Sequence, residues 1–183
     1  MKEQSHWHTL ERFIEIHTPW LTFIGEKLED ERQQILEYWR VEKADSLIII
    51  TIQNNQLILP NLSYRPGVKE VTLDFAGGRV TQGLSLHANA YEILHRELGL
   101  LHSDILTLTP LNHIGWAINS SFSNQKLYGF VAEISPHTII RDQWLGRTYP
   151  NHSEGINQLL KDLTCLQCRT VLWEWLALEV RKP

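Results

Sequence analysis

Residues 47–52 read Leu-Ile-Ile-Ile-Thr-Ile. This continuous β-branched run is too short for a helix and reads as a strand buried on both faces. Asn54–Asn55 follow as a hairpin turn, and Gln56–Leu59 carry the return strand. Upstream, Pro19–Ile24 and the alternating Ile35–Val41 form a second hairpin, with the polar run Glu26–Arg32 as its turn. A polar lead-in before it carries a short helix over Thr9–Ile16. The clearest helical period places Leu86, Ala90, Ile93, Leu94 and Leu98 on one stripe. Ser85 is its N-cap and Gly99 its C-cap. On its outer face Glu92 and Arg96 form an i, i+4 pair, worth about 0.2–0.5 kcal/mol.

Beyond that helix, Ile105–Leu111 and His113–Asn119 read as extended, Ser120–Asn124 as a loop, and Leu127–Ile134 as a strand crossing the sheet. Residues 135–152 lack a period and read as a long irregular loop, the kind of segment that carries function. Glu154–Leu163 and Thr170–Leu178 read as two closing helices. No repeat or linker divides the chain. Residues 1–45 read as an N-terminal β extension and 46–183 as the main domain.

Composition narrows the class. With 183 residues, 43 % apolar and 21 % charged, the chain supports a substantial core. A net charge of −4 argues against general affinity for nucleic acid or anionic membranes. No apolar run approaches the ~20 residues of a membrane span, and the first residues lack the apolar core of a secretory signal. A cytoplasmic location is the expectation. Seven tryptophans are scattered along the chain, as expected of core or half-buried packing. Cys165 and Cys168 form a CxxC, which lacks the two further ligands a zinc site needs and the preceding strand a thioredoxin-type site needs. It reads as a loop between helices. His6 and His8 lie in a terminus, and His87 and His95, two helical turns apart, cannot share one ion unaided.

The segment from Gly77 to Leu100 resembles the signature box of the Nudix hydrolases. Set on that box without gaps, Gly78 takes the first glycine, Leu94 the inner aliphatic residue, Glu97 the last acid and Gly99–Leu100 the closing pair. The departures fall on the chemistry. Leu84 stands at the first glutamate, Glu92 at the arginine, and Ile93 and Arg96 at two further acids. The resemblance implies an α/β/α sandwich with a mixed central sheet and a small N-terminal β segment. The stretch Leu73-Asp74-Phe75-Ala76-Gly77, preceded by Tyr64–Arg65, is similar to the ADP-ribose pyrophosphatase branch. That branch implies substrate contact at Arg65 and dimerisation through the N-terminal region. The expected substrate pocket is bounded by Arg65, Gly77, Gly78, Arg79 and the 135–152 loop, which in the family carries the general base or closes over substrate. Arg65 has a second reading, as a turn arginine paired with Glu70 or Asp74.

Nudix hydrolases cleave nucleoside diphosphate compounds with divalent metal, a hard cation that wants carboxylates. The box sets its acids at positions 93, 96 and 97, one face of a helix. Here only Glu97 remains, a weak single ligand. A guanidinium about 6 Å from a divalent ion, at an effective dielectric of about 20, is repelled by roughly 5 kcal/mol, and arginine does not lose its proton. The expectation is a Nudix-like protein that has lost metal-dependent diphosphate hydrolysis and serves as a binding, regulatory or assembly module. No cofactor, a nucleotide-type ligand, and a protein partner or second copy go with it. The alternative is an active diphosphatase that uses magnesium through Glu97 together with Asp74, Glu92, Asp142 or Glu154.

Overall fold

The computed structural model describes residues 7–181. The described residues fall into two compact units, divided between 44 and 45, with 117–126 belonging to the first and the rest to the second. In the first, β1 (His8–His17), β2 (Thr22–Glu29) and β3 (Ile35–Glu42) form an antiparallel sheet in that order. The helix expected over Thr9–Ile16 is therefore strand β1. It pairs with β2 from His8↔Glu29 to His17↔Thr22, with two register shifts. Its partner strand supplies hydrogen bonds that outweigh a weak local preference. The turn expected over Glu26–Arg32 shrinks to the residues after Glu29, because β2 runs on through Glu26–Glu29. Gly25 lies under Phe13 and Trp39, where an added Cβ would stand 2.7 and 2.8 Å from their rings.

The second unit holds β4 (Ser46–Gln53), β5 (Gln56–Pro60), β6 (Ser63–Arg65), β7 (Glu70–Thr72) and β8 (Ala76–Arg79) ahead of helix α1 (Leu86–Leu98). After it come β9 (Ile105–Pro110), the two-residue β10 (Trp116–Ala117), β11 (Lys126–Ile134), β12 (Leu145–Pro150), α2 (Ser153–Asp162) and α3 (Leu166–Val180). The central sheet runs β10-β11-β4-β5-β12, with β8 also on β4 and β9 also on β11. It is mixed, since β4 is parallel to β11 but antiparallel to β5 and β8. The expected β4–β5 hairpin is present, and both Asn54 and Asn55 adopt positive φ, 49° and 60°, as a tight two-residue turn demands.

Helices cover both faces of the sheet. Phe130, buried with Leu47, Ile49, Ala90, Ile93 and Leu94, faces α1. The neighbouring Gly129 faces α3, where an added Cβ would meet Val171 at 3.2 Å. Burial on both faces explains the unbroken β-branched run of β4. Other segments depart from expectation. Most of His113–Asn119 is irregular, with only Trp116–Ala117 as strand. The 135–152 stretch contains β12, an edge strand whose Gly146, Arg147 and Pro150 carry no apolar alternation. β12 pairs with β5 from Leu145↔Pro60 to Pro150↔Gln56. The tryptophans are not mainly interior: Trp7, Trp20, Trp39 and Trp173 are exposed, while Trp175 is buried. Among the described residues no helix is long and apolar enough to cross a membrane.

Candidate functional site

A fork in the sheet opens the site. The second half of β4 pairs with β5 (Thr51↔Ile58 to Gln53↔Gln56), and its first half pairs instead with β8 (Ser46↔Arg79 to Ile49↔Ala76). Pro60 at the end of β5 and Gly77–Arg79 of β8 both line the cleft, together with Ser46–Ile48. The β6–β7 hairpin, Glu97 of α1 and Thr164–Cys168 at the start of α3 complete a cavity of about 870 Å³.

Helix α1 is set on this cavity by its caps. Ser85 Oγ accepts from Ala88 N at 3.1 Å, and Gly99 closes the helix at φ 68°. The buried Asn89 ties down the preceding loop. Its Oδ1 accepts from Thr81 N at 2.7 Å and its Nδ2 donates to Ser85 O at 2.9 Å. Gly78 lets β8 approach α1 closely, since a Cβ there would stand 3.2 Å from Ile93 and 2.7 Å from Arg96 Nη2.

The residues at the degenerate box positions separate. Ile93 is 1 % exposed and belongs to the core, so it offers no ligand and lines no part of the cavity. Arg96 folds over the helix toward β8. Its Nε donates to Glu97 Oε1 at 2.9 Å and its Nη2 to Gly77 O at 3.2 Å. The expected Glu92–Arg96 pair gives way to this arrangement, in which one guanidinium satisfies a carboxylate and a strand carbonyl together. Leu84 is exposed. The set does not fit a magnesium cluster, because the one acid is taken up by a cation and its box neighbours are apolar or basic.

Of the expected substrate contacts, Arg65, Gly77, Gly78 and Arg79 all line the cavity. Arg65 takes the paired geometry: Nε and Nη2 both donate to Asp74 Oδ2, at 2.9 and 2.8 Å. Of the relocated ligands considered for an active enzyme, Asp74 and Glu97 line the cavity, whereas Glu92, Asp142 and Glu154 do not. The 135–152 loop does not bound it either. Residues His137–Ile139, Arg141, Gln143 and Trp144 line a second cavity of about 750 Å³ with His95, Gly99 and Asp104. His87 packs edge-on against Phe130, and His95 Nδ1 lies 3.2 Å from Leu100 O, so neither histidine serves the first cavity. His6 lies outside the described residues.

The CxxC is not a connecting loop. Cys165 is the N-cap residue of α3 and half-buried, and Cys168 is buried in the first turn. The Cys168 thiol lies 3.9 Å from Asp74 Oδ1, and the donor atoms of Asp74, Cys165 and Cys168 all fall within 4.8 Å of one another. A hydrogen bond from Cys168 holds the Cys165 thiol down at about 6, against the opposing effect of burial. The same pairing, with burial, pushes Cys168 up. Sequence reasoning passed over this trio because Asp74 and Cys168 stand 94 positions apart. The available signal was the CxxC itself, whose third donor comes from a distant segment.

No protein-family model and no curated protein matches this chain. Among solved structures, one described as the crystal structure of an ADP compounds hydrolase is similar over 97 % of this chain and 95 % of that one, with a TM-score of 0.69 and 21 % sequence identity. A likeness at this identity establishes the fold, and the Nudix-like α/β architecture expected from the box is the one observed.

Proposed function

We propose that this chain is a Nudix-fold binding, regulatory or assembly module that has lost metal-dependent diphosphate hydrolysis. The observation that carries the reading is the Arg96 guanidinium, bonded at once to Glu97 and to the Gly77 carbonyl. It supplies from within the chain the positive charge that an ion would otherwise bring to Glu97. Adding a divalent cation there requires Arg96 to leave both partners and to overcome its own repulsion of the ion, roughly 5 kcal/mol at about 6 Å. The cavity keeps the room and the cationic side chains, Arg65 and Arg79, for an anionic ligand of nucleoside diphosphate type. The similar ADP compounds hydrolase supports that ligand class without bearing on catalysis.

The test pairs turnover with binding. ADP-ribose incubated with the protein and either magnesium or manganese is expected to remain intact. The Arg96→Glu variant, which removes the internal cation and adds an acid, is expected to bind manganese at least tenfold more tightly by calorimetry. Hydrolysis by the natural sequence that disappears in Glu97→Gln would establish the active alternative in its place.

A further inference from the structure

We propose that Asp74, Cys165 and Cys168 form a binding site for one thiophilic divalent cation of the zinc type, within the same cavity but separate from the box helix. Three observations carry this. The first is preassembly. The donor atoms lie within 4.8 Å of one another, and the Asp74–Cys168 separation is 3.9 Å. Tetrahedral zinc with sulfur at about 2.3 Å and oxygen at about 2.0–2.2 Å brings its ligands about 3.4–3.8 Å apart. Closing the trio on an ion therefore needs small side-chain movements and no rearrangement of the backbone. The spacing of three sets both thiols on one face at the start of α3.

The second is the support behind the carboxylate. Asp74 Oδ2 accepts from Arg65 Nε, Arg65 Nη2 and Thr72 Oγ1, all at 2.8–2.9 Å. Those bonds consume one oxygen and orient the other, Oδ1, toward the thiols. An outer shell of this kind is what metal-binding carboxylates have. The charges also balance: two thiolates and one carboxylate against a divalent ion and the Arg65 guanidinium sum to zero.

The third is access. All three residues line the cavity of about 870 Å³, so an ion held among them adjoins open space. Three protein donors with one open position differ from a closed structural site, and leave room for water or an anionic group on the ion. Thiolate pairs select zinc-type cations and discriminate against magnesium and calcium. The box helix, with its carboxylate already paired to Arg96, offers nothing of this softness. The site therefore does not depend on whether hydrolysis has been lost.

The experiment uses the full-length protein, stripped with a chelator, kept reduced with a phosphine and titrated with cobalt as a spectroscopic probe. The expected result is one equivalent bound, with thiolate-to-cobalt charge transfer and tetrahedral visible bands that zinc abolishes in competition. Cys165→Ser, at a half-buried position that tolerates the change, is expected to weaken cobalt at least 100-fold, and Asp74→Asn at least tenfold. Cys168→Ser is read only alongside its circular dichroism, because that side chain is buried. Absence of the charge-transfer band in the natural sequence overturns the proposal, as does affinity unchanged in Cys165→Ser. Cobalt binding lost in Glu97→Gln but retained in Cys165→Ser places the ion at the box helix and overturns it too. Turnover of ADP-ribose without cobalt uptake would sink the loss-of-hydrolysis reading and this one separately, since each has its own readout.

Discussion

Helix α1 and the start of α3 both line the same cavity, yet they hold charge in opposite ways. At α1 the glycines and aliphatic residues that resemble the Nudix box are in place, but Arg96 already bonds to Glu97 and to the Gly77 carbonyl. At α3 the box plays no part, and Asp74, Cys165 and Cys168 converge with one carboxylate oxygen and two thiols close together. In both places an arginine meets an acid. Arg96 engages Glu97 through Oε1, with the Gly77 carbonyl as its second partner. Arg65 engages Asp74 through Oδ2 and leaves Oδ1 available. The two carboxylates differ in what stands beside them, an isoleucine and an arginine at α1 and two thiols at α3, and that company decides a site's capacity for a cation.

The contrast can be broken most severely at Ile93. If this position serves the core and has no part in the cavity, Ile93→Ala is expected to cost about 2–5 kcal/mol of stability in urea unfolding, because the side chain is 1 % exposed. A loss below about 1 kcal/mol, less than the lower end of that range, would return the position to the cavity wall and reopen the alignment of the box. A smaller effect is expected at Arg65. Arg65→Ala removes the two bonds that orient Asp74, and cobalt affinity is expected to fall about tenfold, the lower end for loss of an outer-shell partner. Unchanged affinity would show that Asp74 needs no positioning, which would weaken the distinction between the two arginines. The smallest effect belongs to Ser85. Ser85→Ala deletes the side-chain acceptor at the start of α1 and is expected to cost about 1 kcal/mol. Cobalt affinity should remain unchanged. A change in affinity would tie the α3 trio to the box helix, against the separation drawn between them.

Legibility followed the range of the interactions. Helix α1 could be read with its caps and its buried stripe because Ser85, Gly99 and the residues between them act within a few turns of one another. The Asn54–Asn55 turn was equally local. The N-terminal strand was not. Leu10, Phe13 and Ile14 fit a helical spacing, and it is the pairing of their segment with β2 that commits it to extended backbone. Strand β12 has no apolar alternation to announce it and exists because β5 offers an edge. The candidate site divided the same way. Arg65, Gly77, Gly78, Arg79 and Glu97 were named from the resemblance to the box and its branch, and all line the cavity. That Arg96 turns onto Glu97 instead of Glu92 depends on where β8 presents its carbonyl, which no helical spacing encodes.

The amino-acid order alone determined the hydrophobic frame: a doubly buried central strand, its hairpin, and one capped helix with a buried apolar stripe. Those properties come from side chains close in sequence, whose contacts the backbone geometry of a helix or a turn dictates. The folded chain alone decided what that frame encloses. The fork of β4 between β5 and β8 opens the cleft, and contacts spanning 94 positions carry Asp74 to Cys168. Such contacts arise only when distant segments close onto a shared core, where burial drives the packing and side-chain identity merely decides what is left facing the space between.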